Sequence, residues 1–162
     1  MKKFFFILLL SILSVTAVFG QPQMQVSEIE DQVANPDYNL LIVTENSEFK
    51  NQITNKLQTF LKENKIAVTM FVSPDFSTIE TERYDAVLFM WHVESSKLQP
   101  SAAGYLNSVE NKAKFILVAS HGNGNLDADY KVDTVTDASA YADPGKKAEE
   151  IIIILKNKPG IN

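Results

Sequence analysis

Leu40-Leu41-Ile42-Val43-Thr44-Glu45-Asn46-Ser47 carries the passage from strand to helix. Its first four residues form a continuous apolar run of strand length, as a strand covered on both faces requires. The next four are polar. A helix is predicted over Ser47–Asn64, with Phe49, Ile53, Leu57, Phe60 and Leu61 on one stripe. Asn46 or Ser47 can cap it, and Glu48 in the first turn complements the helix dipole.

Working outward, the same alternation repeats. Ile66–Val72 predicts a second strand, closed by Ser73-Pro74-Asp75, and Asp85–Trp91 a third. A short helix is expected over Ser101–Val109, a fourth strand over Phe115–Ala119 and a weaker fifth near Val132–Val135. Asp143 and Pro144 open the last helix, and Lys158-Pro159-Gly160 stops it. The interval between the second and third strands leaves room for a further short helix around Thr78–Glu82. Strands alternating with helices imply a three-layer α/β fold, with a parallel sheet and right-handed crossovers.

Residues 1–20 read as a separate segment. Lys2 and Lys3 precede an apolar run that ends in Val18-Phe19-Gly20, which suits a signal peptide cleaved after Gly20. A retained anchor over residues 4–20 is the alternative, since about 17 apolar residues is the lower limit for a membrane-spanning helix. The protein is therefore expected to be exported, to the periplasm or beyond, with membrane contact only if that segment is kept. Residues 21–38 form a polar lead-in, and residues 39–158 the folded domain.

Composition removes several functions. The 162 residues contain no Cys, which excludes disulfides, thiol catalysis and cysteine-ligated metals. Two histidines, His92 and His121, are too few for a multi-histidine metal site. The net charge is −5, and Lys2 and Lys3 supply two of the fifteen basic residues, so residues 21–162 carry −7. Such a surface repels phosphate backbones, and no nucleic-acid role is expected.

In an open parallel sheet, ligands bind beyond the carboxyl ends of the strands. Three polar stretches converge there: Thr44-Glu45-Asn46-Ser47, Met90-Trp91-His92 and Ser120-His121-Gly122-Asn123-Gly124-Asn125. Trp91 either covers the sheet edge or stacks on a ligand. His121 is either an acid/base residue or a loop histidine bonded to backbone. Asn123, Asn125, Asp127, Asp129 and Asp133 alternate like calcium ligands. Counted from Asn123, however, Ala128 and Thr134 stand where the calcium loop needs Gly and Glu. No Gly-x-Ser-x-Gly elbow supports a hydrolase. Ile151–Ile154 exceed one helix stripe, as a deeply buried helix or a subunit contact would.

Tyr84-Asp-Ala-Val-Leu-Phe-Met-Trp, Ala102-Ala-Gly-Tyr-Leu and Asn111-Lys-Ala-Lys-Phe-Ile-Leu-Val resemble the third strand, short helix and fourth strand of the flavodoxin-like family. The resemblance covers residues 39–158. It implies five parallel strands in the order 2-1-3-4-5 and non-covalent flavin mononucleotide (FMN). By the same resemblance Thr44, Asn46 and Ser47 would hold the phosphate, and Trp91, beside His92, would stack on the ring. Gly122, Asn123 and Gly124, after His121, would bring backbone amides to it. The chain departs from the family in having no Gly between Thr44 and Lys50, and in placing Glu45 and Glu48 near the phosphate. No Tyr closely follows Gly124.

Two functions follow. One is an exported FMN electron carrier whose acidic surface steers a redox partner with a basic surface. The other is a flavodoxin-like binding or interaction module that has lost the flavin site.

Overall fold

Backbone polar groups inside a domain must be paired, and the apolar runs of this chain pair theirs in one sheet. The structure is a computed structural model that describes residues 29–31, 33–121, 126–127, 129–138 and 142–161. The strands are β1 (Ile29–Asp31), β2 (Tyr38–Thr44), β3 (Ile66–Val72), β4 (Ala86–Glu94), β5 (Lys97–Leu98), β6 (Phe115–His121) and β7 (Asp133–Ala138). The helices are α1 (Glu48–Glu63), α2 (Pro100–Ser108) and α3 (Pro144–Lys156).

The sheet order is β1-β3-β2-β4-β6-β7. Its five parallel strands run β3-β2-β4-β6-β7, which is the expected 2-1-3-4-5 order. Register is set by matched apolar residues: Leu40 lies opposite Val68 and Ala86, and Leu88 opposite Ile42 and Ile116.

Both faces of the sheet are covered. Leu40, Ile42, Leu88 and Met90 face α1 and α3, meeting Ile53, Leu57, Ile151 and Leu155. Leu41, Val43, Phe89 and Trp91 face the other way, toward Ala102 and Leu106 of α2. Each such side chain contributes about 1.5–3 kcal/mol by leaving water. Alternation along the strand therefore divides β4 between two cores.

The caps are those the sequence predicts. Ser47 Oγ accepts from Lys50 N at 3.2 Å, and Asp143 Oδ1 from Gly145 N at 2.8 Å. At the far end of α3, the buried Lys158 ammonium donates to Ala113 O and, at 2.6 Å, to Asp133 Oδ2. This ties the last helix to the starts of β6 and β7.

Several elements differ from the sequence reading. β1 adds an antiparallel edge strand to β3 from within the polar lead-in; three residues are too short to show a period. β4 runs on through Trp91 to Glu94 and turns back into β5. Its turn residues Ser95 and Ser96 have φ of 48° and 64°, the left-handed pair that a two-residue hairpin requires. In place of a helix near Thr78–Glu82 there is one 3₁₀ turn, Phe76–Thr78. Asp75 accepts from Ser77 N there, and that bond holds its carboxyl below the usual range. The isoleucine run is not buried all round: Ile151 is inside, whereas Ile153 is 61% exposed.

Among the described residues, no helix is long and apolar enough to cross a membrane. Residues 1–28, on which the export expectation falls, lie outside the described residues, as do Gly122, Asn123, Gly124 and Asn125.

Candidate functional site

The carboxyl ends of β2 and β4 stand side by side, with Thr44 opposite Met90. The residue after Thr44 therefore lies against the end of β4, two residues further on. That residue is Glu45, and its neighbour is His92.

Glu45 is the centre of a polar cluster. Its Oε1 accepts from the backbone N of His92 at 2.6 Å and from Lys50 Nζ at 2.6 Å. Its Oε2 lies 2.5 Å from His92 Nδ1. A carboxylate accepts only, so Nδ1 carries the proton in this contact. At the other ring nitrogen, the Gln99 amide nitrogen stands 3.0 Å from Nε2, and Glu94 Oε1 stands 3.3 Å away. The closer amide donates to the Nε2 lone pair, which agrees with a proton on Nδ1. The Lys50 side chain is 3% exposed and that of Glu45 17%. This is a buried ion pair, extended by a histidine to the protein surface.

The residues matched to a phosphate loop are otherwise committed. Thr44 is buried, and its hydroxyl donates to Glu45 O at 3.1 Å. Ser47 Oγ caps α1. Asn46 is exposed, and its Oδ1 meets Asn51 Nδ2 at 3.4 Å.

Trp91 and His92 are adjacent within a strand, so they point to opposite faces. Trp91 is 6% exposed, with its ring 5.0 Å from Phe76 and 5.4 Å from Phe89. Its Nε1 is buried without a hydrogen-bond partner among the described residues. His121 ends β6 opposite Ala138, beside the strand position where Ser120 pairs with His92. The structure thus brings Thr44, Asn46, Ser47 and His92 to one edge and turns Trp91 away from it.

Sequence reasoning missed Lys50 and the positive role of Glu45. One signal was present: Lys50 shares the buried stripe of α1 with Ile53, Leu57 and Phe60. A lysine on such a stripe needs an anion, and Glu45 lies five residues before it.

A cavity of about 620 Å³ lies elsewhere, on the α2 side, with Phe76, Ile79, Glu82, Tyr105 and Glu110 among its walls. Burial there pushes the Tyr105 phenol up to about 12, with the Glu82 charge adding to the effect.

No family model matches the sequence, and no curated protein matches it. Solved structures do. A flavo di-iron protein variant from Thermotoga maritima is 18% identical, with a TM-score of 0.50 over 73% of this chain and 35% of its own. Rubredoxin oxygen:oxidoreductase from Desulfovibrio gigas is also 18% identical, with a TM-score of 0.50 over 76% and 37%. The fold is flavodoxin-like. The chain spans little more than a third of the length of these proteins, and at such identity the flavodoxin-like likeness concerns the fold alone.

The site does not fit the phosphate of FMN. In this flavodoxin-like scaffold the first loop already holds an anion of its own, and its hydroxyls are engaged locally. The tryptophan expected on the ring is packed in the core.

Proposed function

We infer that this chain is a flavodoxin-like binding module that does not use FMN. One observation carries the reading: the Glu45 carboxylate sits on Lys50 and His92 at the loop where a flavin phosphate would need free donors. A phosphate brought there would face that carboxylate within the same small volume, and like charges at short range repel strongly. Residues 1–20 serve as the export signal in this reading, and the module works outside the cytoplasm.

The competing reading is an exported FMN electron carrier. The name of the flavo di-iron neighbour from Thermotoga maritima favours it. FMN titration of the purified protein separates the two. The module reading expects unchanged flavin fluorescence and unchanged Trp91 emission up to millimolar FMN. A yellow protein, or quenching of both signals at micromolar FMN, would overturn it.

A further inference from the structure

Lys50 has little access to water, and its ammonium donates to one oxygen of Glu45. A buried ammonium requires a counter-anion, whatever molecule supplies it. Three donors converge on the same two oxygens: Lys50 Nζ and His92 N on Oε1, and His92 Nδ1 on Oε2. Two of them belong to β4 and one to α1, so each reaches the carboxylate from a residue in regular structure. The anion, by contrast, comes from the three-residue connection between β2 and α1. Donors rooted in regular structure, with an acceptor carried on a short connection, make a receptor filled by its own chain.

Resting on the flavin-free reading above, we propose that Lys50 Nζ, His92 N and His92 Nδ1 form a carboxylate-binding pocket that Glu45 occupies as an internal ligand. The chemical class of external ligand is a small organic monocarboxylate. The donor set places two hydrogen bonds on one oxygen and one on the other, which a planar carboxylate accepts. One lysine charge balances one carboxylate charge. A dianion would leave an excess negative charge near Glu94, which already lies 3.3 Å from His92 Nε2. The tethered Glu45 competes at an effective concentration of order millimolar. An external acid must therefore outcompete it through contacts made by the rest of its own structure.

Removing the tether exposes the pocket. The test uses the Glu45→Ala variant with acetate, whose carboxylate replaces the one deleted. Thermal unfolding is followed in sodium acetate against sodium chloride at equal ionic strength. Acetate should raise the Tm of Glu45→Ala with an apparent affinity at least tenfold tighter than for the wild type. Adding Lys50→Met should abolish the response. If Glu45→Ala does not fold in chloride, acetate should restore folding, because a ligand of the native state shifts the equilibrium toward it.

A direct readout is available as well. The sequence has two histidines, so ¹⁵N-histidine labelling gives two backbone amide signals. Acetate should shift the His92 signal in Glu45→Ala and leave it in place in Glu45→Ala/Lys50→Met. Three results would overturn the pocket: acetate acting no better than chloride, an equal response in the double variant, or phosphate replacing acetate at the same concentration. None of these touches the flavin-free reading, which is tested separately by FMN on the wild type.

Discussion

Glu45 Oε1 lies 2.6 Å from Lys50 Nζ, and the lysine side chain is 3% exposed. Surface ion pairs contribute about 0–1 kcal/mol, but this pair is not at the surface. Deleting one half leaves the other charge buried without compensation. Glu45→Ala is therefore expected to cost about 3–5 kcal/mol in urea unfolding in chloride buffer. Glu45→Leu/Lys50→Met removes both charges and should cost much less than Glu45→Ala. A single-variant loss below about 1 kcal/mol would show that the pair is solvated.

Trp91 is packed between Phe76 and Phe89 on the α2 face. Its emission should be that of an apolar site and poorly quenched by acrylamide. Trp91→Ala should cost about 3–5 kcal/mol by leaving a cavity. Trp91→Phe should cost far less, since it also removes the indole N–H that has no partner among the described residues. Free access of acrylamide to Trp91 would contradict this placement.

Burial raises two phenols, Tyr38 and Tyr105, each to about 12, with smaller contributions from Asp85 and Glu82. The unfolded chain loses these protons near pH 10, whereas the folded chain keeps them to about 12. Between those values the folded state binds more protons, so stability falls as pH rises through that window and is fully present below it. Urea midpoints measured across the window should fall less steeply in Tyr38→Phe/Tyr105→Phe. Identical slopes in the wild type and the double variant would refute the assignment.

Ser95 and Ser96 take left-handed φ at the β4–β5 turn. A side chain there costs about 1–2 kcal/mol that glycine does not incur. Glycine's extra unfolded-state entropy offsets part of that gain. Ser96→Gly should therefore stabilise the protein by about 0.5–1 kcal/mol in urea unfolding, without moving the His92 amide signal. A destabilised Ser96→Gly would mean that the turn does not keep this geometry.

The sequence by itself determined the elements that local physics controls. The run at Leu40–Val43 marks β2 because a continuous apolar run of that length, bounded by polar residues, suits a strand buried on both faces. Ser47 and Asp143-Pro144 mark the starts of α1 and α3, because orphan amides need those caps. The alternation of elements implied a parallel sheet, and the resemblance over residues 39–158 supplied the strand order. Tertiary structure decided the rest. β1 and β5 are too short to have a pattern, and they exist because β3 and β4 offer them backbone partners. Trp91 and His92 were read at the end of the third strand, and β4 extends past them; the pleat then sends the indole into one core and the imidazole to the edge. The contact that closes the edge joins Glu45 to a residue 47 positions away. That closeness comes from the parallel register of β2 on β4, and a charge pair of such separation leaves no periodic trace in the chain.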